Sequence, residues 1–327
     1  MTYRRCGRSG ILLPAISLGL WHNFGDVNPL SRSKEILHHA FDQGIVSFDL
    51  ANNYGPSYGS AEETFGIVMQ KSFRPYRDEM FIATKAGYDM WPGPYGNWGS
   101  RKYLISSLDQ SLKRMNLDYV DIFYSHRYDP ETPLEETLTA LVDIVRQGKA
   151  LYIGISRWPK KAMDFAKQFL SQRDAPCLLF QDKLNIFDRA PETSGMLTDL
   201  ENSGIGFIAF SPLAQGLLTN RYLHGIPADS RAAAGKFLSA ANLTHGMMEK
   251  ITNLNRIAAS RDQSLAQMAL AWLLRKKEVT SVIVGCSSIA QLDDSISSLA
   301  NLEFTSEQLA EIDNLAGIQL TTTSPTQ

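Results

Sequence analysis

The 327-residue sequence predicts an α/β protein, a (β/α)8 TIM barrel with an N-terminal β-hairpin and long loops on the C-terminal rim. Eight short apolar runs of strand type alternate with amphipathic segments in which apolar residues recur every three or four positions. Strands that alternate with helices form parallel sheets through right-handed crossovers, and eight such units favour closure into a barrel. A doubly wound open sheet is the alternative.

Each predicted element follows from its local sequence. Residues 3–6 and 11–13 flank a turn at 7–10 and predict the hairpin. Gly44, Gly148 and Gly204 lie where three helices should end. The clearest predicted helices are 33–43, 102–115, 134–147 and 263–275, and the predicted barrel strands are 17–21, 47–51, 80–85, 119–126, 150–156, 178–184, 206–212 and 281–285.

Length and composition limit the function classes. We expect residues 1–318 to form one barrel domain and residues 319–327 to be a disordered tail. A net charge of -2 disfavours nucleic acid and anionic lipid as partners. Cys6, Cys177 and Cys286 are scattered, which indicates neither a disulfide framework nor a zinc site. No stretch resembles a signal peptide or a membrane span, so we expect a cytoplasmic protein.

Four polar residues indicate chemistry on a carbonyl group. Asp49, Lys85 and His126 lie at or near the ends of predicted strands, and Tyr54 lies in the loop after Asp49. Because the strand C-termini of a parallel barrel share one rim, these side chains can meet. Carbonyl reduction requires a hydride, which no side chain supplies, and an acid that protonates the oxygen.

The four residues have complementary roles in such a reaction. Tyr54 is the candidate acid, and the Lys85 ammonium is expected to lower its pKa. Asp49 can hold Lys85, and His126 can donate a hydrogen bond to the carbonyl. Taken singly, Tyr54 is as well explained as a packed turn residue and Lys85 as a solvated strand-end lysine. No His-x-His or His-Glu-x-x-His spacing supports a metal site at His126.

Two long connections, 86–101 and 213–243, follow predicted strands and are expected to line the site. We expect a substrate pocket for a small aldehyde, with apolar walls from aromatic loop residues. Arg127 and Arg157 either bind a substrate phosphate or carboxylate, or pair with acidic neighbours such as Asp121 and Asp129. The expected pocket residues are Trp21, Tyr54, Trp91, Trp98, His126 and Arg127, with Tyr95 on the same loop.

No glycine fingerprint follows the first strand, so a Rossmann dinucleotide site is disfavoured. In a barrel, phosphate groups bind around the loops after the seventh and eighth strands. Ser287 and Ser288 begin a helical segment there, and either its N–H groups bind an anion or these serines only cap the helix. Arg221 and Arg231 are either solvated or close over a pyrophosphate or 2′-phosphate.

Over nearly its whole length the chain resembles the aldo-keto reductase superfamily. The motifs that carry the resemblance occur in order: Asp49-x4-Tyr54, Thr84-Lys85, the segment 118–126, Gly154-Ile-Ser156 and Ser211-Pro-Leu213. Segments 19–25, 85–96 and 212–218 resemble the branch of bacterial L-glyceraldehyde 3-phosphate reductases, which is related to the β subunits of voltage-gated potassium channels.

The resemblance implies an active NADP-dependent aldehyde reductase, with NADPH as hydride donor and NADH less favoured. It implies Asp49, Tyr54, Lys85 and His126 as the catalytic set, and small aldehydes of the glyceraldehyde 3-phosphate or methylglyoxal type as substrates. It also implies a tetramer or octamer. The implied cofactor-binding residues are Trp21, Asp49, Ser156, Arg157, Gln181, Phe210, Ser211, Pro212, Leu213, Gln215, Gly216, Arg221, Arg231, Gly285, Ser287, Gln291 and Asp294.

Three positions distinguish this chain within the superfamily. Many members have Asn where Arg157 stands, and many place an arginine against the 2′-phosphate where this chain has Gln291. Some channel-associated relatives carry Asn at the position of His126. The histidine favours a working reductase over a cofactor-sensing regulatory subunit. A lysine Schiff-base enzyme is disfavoured, because a nucleophilic lysine must be neutral and Asp49 would keep Lys85 charged.

Overall fold

The structure is a computed structural model that describes residues 1–223, 225 and 243–317. Eight parallel strands close into a barrel, in which the last strand pairs with the first. The predicted barrel is therefore confirmed, and the open sheet is wrong. The barrel strands are β3 (Ile16–Gly19), β4 (Ser47–Asp49), β5 (Phe81–Ala86), β6 (Val120–Ser125), β7 (Ala150–Ser156), β8 (Cys177–Lys183), β9 (Gly206–Phe210) and β10 (Val279–Val284).

The helices pack around the barrel, and each buries an apolar stripe against it. In the first helix, for example, Ile36, Leu37 and Ala40 are buried at helical spacing. Gly44, Gly148 and Gly204 adopt positive φ just after helices, as predicted for a helix end. The described α-helices are α1 (Leu30–Asp42), α2 (Ser60–Val68), α3 (Arg101–Met115), α4 (Leu134–Arg146), α5 (Lys160–Ser171), α6 (Ala190–Thr193), α7 (Met196–Ser203), α8 (His245–Ala259), α9 (Leu265–Leu274), α10 (Ile289–Ser297) and α11 (Ser306–Ala316).

The predicted N-terminal hairpin is present and covers the end of the barrel where the strands begin. Strands β1 (Tyr3–Arg5) and β2 (Leu12–Pro14) pair antiparallel. From β1, the Arg4 guanidinium donates hydrogen bonds to the carbonyls of Leu274 and Val279, next to the start of β10. Cys6 and Leu13 pack into the apolar cluster inside the barrel. The hairpin thus seals the end opposite the site.

Alternation along the strands decides which side chains enter the barrel. Ala83 on β5 and Tyr124 on β6 belong to the interior cluster. Since residues two apart on a strand face the same side, Lys85 and His126 also point inward, above those apolar layers. The residues of this apolar cluster therefore lie below Lys85 and His126 in the barrel.

Parts of the predictions fall outside the described residues. The loop after β9 contains 3-10 turns at Ala214–Gly216 and Asn220–Tyr222. Arg231 and most of 224–242 lie outside the described residues, as does the predicted tail at 319–327. Within the part of the chain that is described, we find no helix long and apolar enough to cross a membrane.

We predict that Gly66→Ala destabilises the fold. Gly66 is buried in α2, and a methyl group there would overlap the carbonyl oxygen of Arg114 at the end of α3. Forcing the two helices apart should lower the free energy of unfolding by about 1–3 kcal/mol.

Gly246→Ala, at an exposed position of α8, is the matched control, because no atom lies within 4 Å of its added methyl. It should be neutral or stabilising by up to about 1 kcal/mol. Urea unfolding of both variants compares them, and equal stabilities would contradict the packing argument.

Candidate active site

The centre of the site is a buried ion pair between neighbouring strand ends. Lys85, at the end of β5, is fully buried, and its Nζ lies 2.6 Å from Asp49 Oδ2 at the end of β4. Lys85 Nζ also donates to the Leu50 carbonyl at 2.7 Å and to the Tyr54 hydroxyl at 3.4 Å. An ammonium has three donors, so this lysine uses all of them.

Asp49 is held from a second side. Its Oδ1 accepts a hydrogen bond of 2.9 Å from Gln181 Nε2, which projects from β8 across the barrel. Gln181 is thus in the site, as predicted, and it contacts Asp49. Because both carboxylate oxygens have donors, the carboxylate has a fixed orientation toward Lys85.

Tyr54 and His126 complete the predicted set. Tyr54 lies in the loop between β4 and α2, and its amide donates to the Ala51 carbonyl. The rings of Tyr54 and His126 meet edge to face with centroids 5.8 Å apart. The structure therefore brings all four predicted residues together at one rim. A carbonyl group placed between the phenol and the imidazole could contact both.

Burial shifts the pKa values of the three titratable groups around this point. It lowers the pKa of Lys85, and the Asp49 carboxylate opposes that effect. It lowers the pKa of His126 well below its ordinary value, with further lowering from the charges of Lys85, Arg157 and Arg127. His126 is therefore a neutral imidazole, able to donate from one nitrogen.

The expected lowering of the Tyr54 pKa by Lys85 is wrong for this structure. Burial raises the pKa of Tyr54 well above its usual range, and the Asp49 charge adds to the rise. The physical reason is that Asp49 neutralises the Lys85 charge at close contact. Desolvation of the phenolate therefore outweighs its attraction to the Lys85 ammonium. Tyr54 keeps its proton at neutral pH.

A second, buried carboxylate supports the site, and no sequence pattern predicted it. Glu62 on α2 is fully buried, and it accepts from the Thr84 hydroxyl at 2.5 Å and from Arg114 Nε at 2.8 Å. Its charge raises the pKa of neighbouring Lys85. Glu62 thus ties helix α2 to strand β5 next to Lys85. Its partner Arg114 is far away in sequence, so periodicity could not reveal it.

The loop after β5 forms an aromatic wall. Tyr88 packs edge-on against His126 with ring centroids 4.7 Å apart, although the sequence did not single it out. Of the predicted pocket aromatics, Trp21 lies 6.3 Å from the Tyr54 ring, whereas Trp91 packs on Tyr103. Trp98 is part of the same wall and is partly exposed, and Tyr95 is more exposed still and contacts Lys102.

Arg127 and Arg157 do not pair with the acidic residues that were predicted as their alternative partners. Asp121 forms its ion pair with Arg77, and Asp129 accepts hydrogen bonds from the backbone of its own loop and from Gly99. Those alternative pairings are wrong, because both acids are engaged by groups nearer to them. Arg127 instead contacts the aromatic loop, and Arg157 donates to the Tyr88 hydroxyl at 3.0 Å.

Comparison with known proteins identifies the family. A model of the aldo/keto reductase family matches residues 15–316. The chain belongs to the aldo/keto reductase family. L-glyceraldehyde 3-phosphate reductases of Escherichia coli O157:H7 and strain K12 are 55% and 54% identical over 317 residues, which cover 96% of this chain and 92% of each relative. A probable voltage-gated potassium channel subunit beta of Arabidopsis thaliana is 35% identical over 303 residues, 90% of each chain. The chain is thus an oxidoreductase of a family that uses nicotinamide cofactors.

The loops after β9 and β10 fit the phosphate groups of such a cofactor. Ser211, Ala214, Gln215 and Gly216 all have positive φ, so the backbone after β9 curves into a cradle. A side chain added at Gly285, after β10, would meet no atom closer than 3.8 Å, which leaves space at the rim. Helix α10 begins here and presents its first N–H groups.

Other predicted cofactor residues line the same edge. Ser288 caps α10, because its side chain accepts from the Gln291 amide, and anion binding at this helix start stays a prediction. Ser287 donates from its amide and hydroxyl to the Gln291 side chain, and Asp294 accepts from Ser264 and Gln267 at the start of α9. Ser156 is buried at the end of β7, and Phe210 is half-buried at the barrel mouth. The remaining members, Pro212, Leu213 and Arg221, lie on the loop after β9. In the described part of the chain, no cluster of His, Cys, Asp and Glu is arranged for a metal ion.

We predict that Asp49→Asn lowers the free energy of unfolding by about 3–5 kcal/mol, because it leaves the buried Lys85 ammonium without its carboxylate. The double variant Asp49→Asn with Lys85→Met should recover part of that loss, since no buried charge remains. Urea unfolding at neutral pH measures both. If the double variant is less stable than the single one, the ion pair is not what Asp49 stabilises.

We also predict a pH-dependent contribution of His126 to stability. Its folded pKa lies well below the unfolded value of about 6.5, so between these two values only the unfolded chain binds the proton. Stability is therefore lost as the pH falls from 7 to 5, by up to about 2 kcal/mol from this residue. His126→Asn should show a correspondingly smaller loss over that range. Exposed His245→Asn is the control and should follow the wild type; identical behaviour of both variants would refute the prediction.

Proposed function

We propose that this protein reduces small aldehydes to alcohols with NADPH, and that Tyr54 is the general acid. The observation that carries the proposal is the contact of the Tyr54 hydroxyl with a fully buried, carboxylate-paired Lys85 beside His126. The high identity to proteins named L-glyceraldehyde 3-phosphate reductase supports a short aldehyde as substrate. Methylglyoxal is a second aldehyde of suitable size.

The side chains divide the acid chemistry among them. The nicotinamide supplies the hydride when the cofactor is bound. Tyr54 retains its proton until negative charge develops on the carbonyl oxygen, because an alkoxide is a far stronger base than tyrosinate. Lys85 then stabilises the phenolate by its ammonium, while Asp49 and the Leu50 carbonyl hold Lys85 in place. Neutral His126 donates an N–H to the same oxygen and orients it.

Three further assignments belong to this proposal. The left-handed backbone after β9 and the open space at Gly285 support a dinucleotide at the ends of β9 and β10, and NADPH as its preferred form is proposed from the family resemblance. The three cysteines are free and buried, which is in keeping with a cytoplasmic setting. A homo-oligomer, tetramer or octamer, is proposed from the family resemblance, and size-exclusion chromatography with light scattering tests it.

We predict that Tyr54→Phe lowers kcat for glyceraldehyde 3-phosphate and methylglyoxal by at least about 100-fold, because the acid is lost. The ring and its packing remain, so NADPH should still bind with wild-type affinity in a fluorescence titration. Oxidation of NADPH, followed by absorbance, measures turnover. The same titration with NADH tests the cofactor preference.

Tyr76→Phe serves as the matched control, since Tyr76 is an exposed tyrosine before β5, away from the rim. It should turn over like the wild type. Wild-type turnover by Tyr54→Phe would remove Tyr54 as the acid. Absence of NADPH oxidation across a broad aldehyde panel, with tight NADPH binding, would instead favour a cofactor-sensing role.

A further inference from the structure

The buried acid Glu62 lies outside the barrel, directly behind the strand that carries Lys85. It belongs to the first turn of α2, and its side chain is fully buried. Its Oε1 accepts from the Thr84 hydroxyl at 2.5 Å, and its Oε2 accepts from Arg114 Nε at 2.8 Å. A buried ion pair is costly, and well-packed apolar residues can often join two helices as firmly. Helix packing alone therefore does not explain why this residue is a carboxylate.

The bond to Thr84 connects Glu62 to Lys85. Thr84 and Lys85 are neighbours on β5, so their side chains point to opposite faces of the strand. Lys85 points into the barrel, and Thr84 points outward to α2, where Glu62 accepts its proton. Thr84 is itself fully buried. The end of β5 is therefore fixed against α2 at the residue next to Lys85.

The same turn of α2 also holds the backbone of Tyr54. The amide of Ala61, the residue before Glu62, donates to the Tyr54 carbonyl at 3.3 Å. The Arg114 side chain packs against Gly59, just before α2, where an added methyl group would lie 3.0 Å from Arg114 Cδ. The ion pair of Glu62 and Arg114 thus fixes the turn to which the Tyr54 loop is attached.

Five ionisable groups face the Lys85 ammonium from the elements around it. They are Asp49 on β4, Tyr54 in the loop after it, Tyr124 and His126 on and just after β6, and Glu62 on α2. Burial keeps the pKa values of both tyrosines well above their ordinary value, and it lowers that of His126. Burial also lowers the pKa of Lys85, and the charges of Asp49 and Glu62 both oppose that effect. Glu62 is thus a second carboxylate that favours the ammonium form.

We propose that Glu62 is a positioning residue for the acid chemistry, which sets the separation of the Lys85 ammonium and the Tyr54 hydroxyl and supplies a second negative charge beside that ammonium. Thr84 carries its effect to Lys85, and the first turn of α2 carries it to Tyr54. The two groups that it positions are 3.4 Å apart. The inference rests on the proposed reductase function and adds a residue that acts on the reaction from outside the barrel.

The test compares the pH profiles of kcat for methylglyoxal, which has no phosphate that titrates. In Glu62→Gln the alkaline limb of the profile should move to lower pH, because one of the two carboxylates that raise the pKa of Lys85 is gone. In Glu62→Ala, which also releases Thr84 and α2, kcat should fall about 10-fold at every pH. The KM for methylglyoxal and the dissociation constant of NADPH should stay at their wild-type values in both variants.

Asp121→Asn is the matched control. Asp121 is also a buried acid that holds β5, since it accepts from the Ile82 amide at 2.7 Å and pairs with Arg77 at 2.9 Å. It contacts β5 near the start of the strand, at the far end from Lys85. Asp121→Asn should therefore lose stability in urea, as Glu62→Gln does, but keep the wild-type pH profile and kcat.

The double variant Glu62→Gln with Arg114→Gln separates folding from charge, because it leaves neither buried ion unpaired. It should unfold at a higher urea concentration than Glu62→Gln, but its alkaline limb should stay at the lower pH. If the double variant recovers the wild-type limb together with its stability, Glu62 only joins the helices and the proposal is refuted. An equal shift of the limb in Asp121→Asn would also refute it.

The nitrogen NMR signal of Lys85 Nζ, in protein labelled at lysine, gives a readout independent of turnover. Loss of this signal in Lys85→Met assigns it. The signal should titrate at lower pH in Glu62→Gln than in the wild type or in Asp121→Asn, and equal titration in all three would refute the proposed effect of Glu62 on Lys85. If the wild type reduces no aldehyde, the reductase function fails, and this titration alone decides whether Glu62 acts on Lys85.

Discussion

The buried pair of Lys85 and Asp49 is the constraint on which the site depends. A fully buried ammonium is costly unless it is paired and hydrogen-bonded, and here the Asp49 carboxylate, the Leu50 carbonyl and the Tyr54 hydroxyl satisfy it. Each of these partners comes from the end of β4 or the loop after it. The position of that loop, and therefore of the phenol, is fixed by the need to neutralise one lysine.

The pairing of the barrel strands sets the relative positions of these side chains. Parallel pairing places Asp49 opposite Ala83 and Lys85 opposite Tyr124, so the register of β4, β5 and β6 sets the heights of Asp49 and Lys85 in the barrel. Gln181 reaches Asp49 from β8, which joins the far side of the barrel to the ion pair. Outside the barrel, Glu62 and Arg114 secure α2 and α3 to β5. A shift of one residue in one of these ladders would turn a side chain of the candidate site out of the interior.

The sequence predicts the positions of those residues that lie at the ends of barrel strands. Asp49, Lys85 and His126 were found because polar residues that end apolar strands must share the barrel rim. Tyr88 and Glu62 were missed because no periodic sequence pattern marks them. Tyr88 lies in an irregular loop, and Glu62 is a buried acid whose partner Arg114 is distant in sequence. The direction of the Tyr54 pKa shift was predicted wrongly, because burial of the phenol outweighs the effect of Lys85 and the sequence pattern does not give the extent of that burial.

Burial and neighbouring charges together set the state of His126. Lys85 is paired with Asp49 at 2.6 Å, yet its charge still lowers the pKa of the imidazole. The guanidinium charges of Arg157 and Arg127 also lower the pKa of His126. Burial is the largest cause of the low His126 pKa, and the charges of Lys85, Arg157 and Arg127 act in the same direction. The imidazole is neutral, therefore, first because the closed barrel end desolvates it and second because cations surround it, and a neutral imidazole can still donate one N–H.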